Sequence, residues 1–377
     1  MLISAEIEVN PLFGSIWDRC VDYWSLALRT GEAAYTGSGN MDPKNSQISS
    51  EDELLRKILR SARLRTRSGQ DYGIHLGIGD DAALWRPRLG FETVLTTDWF
   101  LEGTHFLRKL HPPESVGWKC LARAVSDVAA MGGEPRCFLL SLALPENCTG
   151  KWLDQFLAGL KRASRRLRCP LIGGDTTRRN EILINLCVIG EVKKGRALKR
   201  SGAMAGDRIF VSGLLGEAEL GLRLLRKKRP NALQTNSLTR RHLYPEPRTR
   251  LGSWLSSNRA ATAMMDLSDG LSTDLVRLCK ASEVGARIYS NKLPQVSEKF
   301  SRRFTPAERT YAALHGGDDY ELLFCVASKT ASRIPRKFLG IELTEIGEIT
   351  KETEIKLIEP SGQAISLHAE GWDPFRK

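Results

Sequence analysis

Gly77-Ile-Gly-Asp-Asp81-Ala82 has the GxGxxA spacing of a dinucleotide-binding turn, yet two aspartates fill the loop where backbone N–H groups should meet a pyrophosphate. Those carboxylates repel phosphate unless a cation stands between them. The theme recurs in Thr96-Thr-Asp98, Ser126-Asp127, Gly173-Gly-Asp175-Thr-Thr, Asp266-Leu-Ser-Asp269-Gly and Gly316-Gly-Asp-Asp-Tyr-Glu321. Any one of these alone reads as a turn. Most of them end an apolar run, and together they supply carboxylates from separate segments that a fold can gather into one cleft. Oxygen ligands in that number suit magnesium, which in proteins usually arrives with phosphates. The series points to metal-dependent chemistry on a nucleotide. Gly190-Glu-Val-Lys-Lys-Gly195-Arg196-Ala197 resembles a P-loop but lacks its lysine and its magnesium-binding Ser/Thr, and protein-kinase motifs are absent.

Between the motifs the chain alternates strands and helices. Ile74–Ile78 and Thr93–Thr97 read as strands that each run into an aspartate, and Cys137–Leu144 as a strand stopped by Pro145. Pro113–Met131 reads as a helix with Val116, Leu121, Val125 and Val128 in its apolar stripe. On that helix Arg123 lies one turn before Asp127, the spacing of an ordinary surface ion pair. Trp152–Leu167 reads as an amphipathic helix, followed by strands around Leu171 and Ile182–Ile189. Ser49–Glu53 has the make-up of a helix start capped by Ser50, and Lys227–Thr239 that of an exposed loop. Residues 1–48 form an extension with a short apolar segment and a polar linker, and Met41 offers a second start codon. A boundary near Arg196–Gly206 divides the rest into residues 49–198 and 199–377, two α/β halves.

The 377 residues are 41% hydrophobic and 27% charged, which suits a folded protein with room for two domains. No apolar run is long enough to span a bilayer, no secretory layout opens the chain, and the eight cysteines show no CxxC pair. Buried thiols in a reducing cytoplasm are the expectation, with no membrane partner. The net charge of +12 comes largely from basic residues at helical spacing between Leu and Ile positions, as on a solvated helix face. No nucleic-acid signature accompanies them, so nucleic acid is not the expected partner.

In order and wording these motifs resemble the thiamine-monophosphate kinase family. That family shares a superfamily with aminoimidazole ribonucleotide synthetase, selenophosphate synthetase and a hydrogenase maturation protein. The resemblance runs from about Leu54 to Phe375. It is carried by GIGDDAA at 77–83, TTDxxxEGxHF at 96–106, GWKxLAxxxSDxAAMG at 117–132, IGGDTTR at 172–178, RSGAxxGD at 200–207, DLSDGL at 266–271, GGDDYEL at 316–322 and a GW–PF ending at 371–375. It implies an α/β (α+β) fold of two domains: an N-terminal ATP-binding α/β domain whose sheet pairs with a second copy, and a C-terminal α/β domain. The implied reaction is ATP-dependent phosphorylation of thiamine monophosphate to thiamine diphosphate, by a homodimer. Carried over by position, metal ligands fall on Asp81, Thr97, Asp98, Asp127, Asp175, Asp266 and Asp269, with Thr96 adjoining. ATP contacts fall on Gly174, Asp175, Arg200 and Ser268, and substrate contacts on His105, Asp318 and Trp372.

The implied chemistry fits these residue types. The acceptor phosphate, with a second pKa of about 6, is already ionised at neutral pH and needs no general base. The difficulty is bringing it in line with ATP. Several magnesium ions on the aspartates would cancel that repulsion, and Arg200 adds a guanidinium. The cationic thiazolium ring suits the Trp372 face and the Asp318 carboxylate. Direct transfer without a phosphoenzyme is expected. The chain departs from the family pattern in its N-terminal extension, in Asp318 where glutamate is usual, and in Pro374 where histidine is common. Two rivals are another ATP-using enzyme of the superfamily and a non-catalytic nucleotide- or nucleic-acid-binding protein on the same fold. The first is disfavoured by the TTDxxxEGxHF wording and by the context of Cys20, which is no reactive glycine-rich loop. The second is disfavoured by the retention of every aspartate.

Overall fold

The computed structural model describes residues 51–62, 72–227, 237–296 and 303–375. The N-terminal extension, Ser50 and residues 228–236 of the expected basic loop lie outside them. The first half comprises helix α1 (Glu51–Ala62), strands β1 (Ile74–Leu76), β2 (Leu84–Trp85) and β3 (Phe91–Leu101), helix α2 (Pro113–Ala130), strand β4 (Glu134–Leu144), helix α3 (Lys151–Leu167), and strands β5 (Leu171–Arg178) and β6 (Leu183–Lys193). Strand β3 does not stop at its aspartate. It continues past Asp98 to Leu101 because its backbone pairs with β6 throughout, with Asp98 opposite Leu186.

Strands β3, β6, β4 and β5 form a four-stranded sheet in that order, antiparallel except for the β4–β5 pair. Successive side chains on a strand face opposite ways. One face of the sheet, with Phe100, Ile184, Leu186, Val188, Leu140 and Leu142, packs into a core with α2 and α3. On the other face Leu95 and Trp99 are 67% and 54% exposed. Helices α2 and α3 cross closely. A Cβ on Gly117 would sit 2.0 Å from the Phe156 carbonyl oxygen, and one on Gly159 1.8 Å from that of Glu114. Only glycine permits that approach, and it sinks α2 so deeply that even Lys119 and Ser126 on it are buried.

The second half adds β7 (Arg208–Ser212), α4 (Glu217–Lys227), α5 (Ser237–Leu243), α6 (Thr249–Ser257), β8 (Ala263–Asp266), α7 (Leu271–Ser282), β9 (Gly285–Tyr289), α8 (Pro306–His315), β10 (Leu322–Val326), α9 (Ser328–Ala331), β11 (Lys337–Phe338), β12 (Ile341–Thr350), β13 (Ile355–Ile358) and β14 (Ala364–Ser366). Its sheet runs β14-β13-β9-β12-β7-β10-β8, with β11 paired to β12. One side of it, through Ile209, Val211, Met265 and Leu323, shares a core with Leu275 and Leu278 of α7. Phe210, Met264 and Phe324 on the other side share a core with Leu251 and Leu255 of α6 and with Ala130 at the end of α2. Helix α2 thus lies against both halves, touching β3, β6 and α3 on one side and α6 and β8 on the other. Among the described residues no helix is long and apolar enough to cross a membrane. Their cysteines are all free, and all but Cys187 are buried.

Candidate active site

The site forms where α2 meets β3 and the turn after β8. Strand alternation turns Thr96 and Asp98 toward α2, while Thr97 points to the open face and bonds Asn185 at 3.2 Å. The Thr96 hydroxyl donates to Asp127 Oδ2 at 2.5 Å. Arg123 donates from Nε and Nη2 to the two oxygens of Asp98, at 3.0 and 3.1 Å. The expected Arg123–Asp127 pair along the helix does not form. Both residues are turned inward instead, and each has a nearer partner on β3.

Asp266 ends β8 and faces Asp127 across the two halves. Burial, and next the Asp127 charge, push the Asp266 carboxyl up to about 8. Burial and the charge of Asp98 likewise raise Asp127, opposed by the Thr96 bond and by Arg123 and Arg200. Asp127 therefore feels a carboxylate on each of two other elements, with more negative charge than Arg123 neutralises. Buried like charges hold protons unless a cation replaces them.

Beyond Asp266 the turn is held by a residue the sequence reading missed. Asp274, in the first turn of α7, accepts from the backbone N–H groups of Ser268 and Asp269, both at 3.0 Å. Burial and then the neighbouring Asp269 push Asp274 up to about 7. Arg277 bonds both Asp269 and Asp274. The Asp269 carbonyl accepts from Trp372 N–H at 2.9 Å, which brings the C-terminal segment over this turn with the indole 48% exposed.

On the other side of Arg123, all three acids of Asp318-Asp-Tyr-Glu321 are engaged. Asp318 accepts from Lys119 Nζ at 2.8 Å and from the Tyr320 hydroxyl at 2.7 Å. Asp319 accepts from the Gly216 and Ala218 N–H groups at the start of α4, and Glu321 from Arg248 and Ser212. Asp318 and Tyr320 have φ of 69° and 51°, a left-handed backbone that costs a non-glycine residue about 1 kcal/mol or more. Bonds from their N–H groups to the Ser268 and Leu267 carbonyls hold it. Lys119 is 1% exposed and also lies 3.4 Å from His242, whose Nε2 is 3.0 Å from that of His111. Burial, reinforced by Lys119, lowers His111 to about 4 and His242 well below its ordinary value, so both rings are neutral. Burial and Arg123 also lower His105 to about 4; its Nδ1 accepts from Leu101 N–H at 3.0 Å, which leaves the proton on Nε2.

The other expected residues lie apart. Asp175 and Gly174 are on β5, the edge of the sheet opposite β3, and Asp175 is level with Ser141 and Asn185. Three strand spacings, about 14 Å, separate β5 from β3. Asp81 is exposed in the loop after β1, and Arg200 is exposed but close enough to act on Asp127. Among the described residues no three acids, histidines or cysteines stand close enough to make a ready-formed metal cluster. Lys119, Arg123, Asp274 and Tyr320 were missed. A signal for the first two exists in Lys119, Arg123 and Asp127 themselves, charged residues four apart on a helix whose other charge, Glu114, lies in its first turn.

The comparisons with known proteins agree with this architecture. Residues 79–192 match the AIR synthase related protein N-terminal domain and residues 205–359 the C-terminal domain. The fold is thus the mixed α/β two-domain AIR synthase type. Thiamine-monophosphate kinase of Escherichia coli K12 is 38% identical over 315 residues, covering 82% of this chain and 95% of the relative. The crystal structure of thiamine-monophosphate kinase from Stenotrophomonas maltophilia superposes with a TM-score of 0.72 at 35% identity, over 83% of this chain and 96% of that one. AaThiL complexed with AMPPCP and TMP superposes with a TM-score of 0.67 at 32% identity, over 90% and 100%. The chain belongs to the thiamine-monophosphate kinase family.

Proposed function

We propose that the cleft between α2, β3 and the β8–α7 turn is where this chain, a thiamine-phosphate kinase, converts thiamine monophosphate to thiamine diphosphate with ATP. The observation that carries the placement is that Asp127 lies within the fields of both Asp98 and Asp266, with His105, Asp318 and the Trp372 segment around them. The carboxylates are hard oxygen donors with surplus negative charge, a set that fits Mg2+. Asp98, Asp127 and Asp266 would hold it, with Thr96 and Asp269 as further ligands; Thr97 faces the open side of the sheet and would serve an ion there, and Asp81 would approach from the exposed loop after β1. The ions would supply neutralisation of phosphate charge. Ser268 and Arg200 flank the same cleft as ATP contacts. His105 offers an Nε2–H donor, Asp318 its remaining exposed edge and Trp372 its indole face to the substrate. The acceptor phosphate is already ionised near neutral pH, so transfer needs no base and no phosphoenzyme.

Asp175 and Gly174 require a second copy. The exposed Leu95 and Trp99 mark the open sheet face as the contact surface, and a second chain whose β5 lies along β3 would bring its Asp175 and Gly174 beside Thr97 and Asp98. We read residues 49–198 and 199–377 as the two domains of each copy. In a coupled assay, product should form with ATP and magnesium and vanish with chelator or in Asp98→Asn and Asp175→Asn. Mixing those two inactive variants should restore part of the activity through hybrid dimers with one intact site. A mixture as dead as its components would place both residues in the same chain's site.

A further inference from the structure

One partly buried cation at the centre of the cleft has no role in the reading above. Lys119, Arg123 and Asp127 stand at i, i+4 and i+8 on one face of α2, so the helix spaces them about 6 Å apart along its axis. Lys119 is anchored to Asp318 on the substrate side, and Asp127 to Thr96 and the Asp266 field on the nucleotide side. Arg123 sits midway. Its side chain is 15% exposed, and its guanidinium lies 5.3 Å from the centre of the Phe100 ring.

Among the described residues its hydrogen bonds go to Asp98 alone, from Nε and Nη2. A guanidinium carries five N–H donors, so three are unspent. The carboxylates of Asp98 and Asp318 act on it, and it stays protonated despite its partial burial. Direct transfer places the acceptor phosphate between the nucleotide side and the ring-binding side, and that dianion needs a partner of opposite charge. Lys119 is already used by Asp318, and Arg200 serves Asp127.

We propose that Arg123 binds the phosphate of thiamine monophosphate and so sets the preference for the phosphorylated substrate over free thiamine. The inference rests on the kinase reading of this cleft. Losing a charged hydrogen-bonded contact of this kind weakens binding by about 10- to 100-fold. The test measures thiamine monophosphate and thiamine binding to the full chain by calorimetry, together with KM for each substrate, in wild type, Arg123→Gln and Arg123→Lys. Thermal melting confirms that each variant is folded.

Arg123→Gln should lose about 10- to 100-fold in thiamine monophosphate affinity while thiamine affinity and KM for ATP stay within about twofold. Arg123→Lys, which keeps the charge near Asp98 but not the fork, should fall between, and carries the comparison alone if Arg123→Gln does not fold. Equal weakening of both ligands, or a rise confined to KM for ATP, would show that Arg123 only holds Asp98 and would overturn the proposal. A wild type that makes no thiamine diphosphate would instead remove the kinase reading beneath it.

Discussion

Two charged regions lie on either side of Arg123, and they are built on opposite principles. Around Lys119 the charges match. Its ammonium faces Asp318, Tyr320 takes the other carboxylate oxygen, and His242 and His111 are neutral. Around Asp127 they do not match, because three carboxylates share the field of one paired arginine and an exposed one. The matched region is the more deeply buried of the two, with Lys119, His111 and His242 at 1–3% exposure, so burial alone does not mark a binding site. The mark is uncompensated charge. The first region spends its polar groups on holding two halves of the protein together, whereas the second leaves them for a ligand to complete.

The widest gap between the regions should appear in stability. Lys119→Met leaves the partly exposed Asp318 carboxylate without its cation and should cost about 1–3 kcal/mol in denaturant unfolding. Adding Asp318→Asn should recover a good part of that loss; a single variant as stable as wild type would mean the pair is not the clasp described. Asp127→Asn sharpens the other side. It should lower kcat by about 100- to 1,000-fold while leaving the melting temperature unchanged or higher, since it removes one of several repelling charges. A matching loss of stability would make the acidic region structural, like its neighbour.

The smallest effect concerns acid. His111 and His242 have pKa values depressed by burial and then by Lys119, so the stability they contribute is complete above the unfolded value of 6.5. It is lost as pH falls toward about 4, the value of His111 in the fold. Asp318, depressed by Lys119 against the effect of burial, adds a further loss below about 3.8. Unfolding followed between pH 7 and 4 should show a shallower decline in His111→Gln, and an unchanged slope would separate these rings from the clasp.

Much of this was readable from the chain. Helix α2, strand β4 and helix α3 fall within a few residues of their expected ranges, because apolar periodicity there agrees with burial. The ordered motifs gave the family. What stayed hidden depends on distant partners. Nothing near Asp318 in the chain announces Lys119, which lies 199 residues away, and nothing near Arg123 announces Asp98 on a strand. The local i,i+4 rule paired Arg123 with Asp127, and it failed because both side chains turn into the protein, where strand β3 offers closer partners. Asp175 was read as one more member of a single cluster. Sheet order, which sequence does not give, puts it on the far edge.

The separation of Lys119 from Asp318 also has a kinetic meaning. Until both halves are formed, the ammonium is solvated and the left-handed turn at Asp318 and Tyr320 has nothing to hold it. A contact that closes so long a loop is made late, after most of the entropy of ordering the chain has been lost. Interactions absent from the transition state change the rate of unfolding and hardly that of folding. The Lys119 clasp should therefore act as a brake on opening: Lys119→Met would refold at nearly the wild-type rate and come apart far sooner.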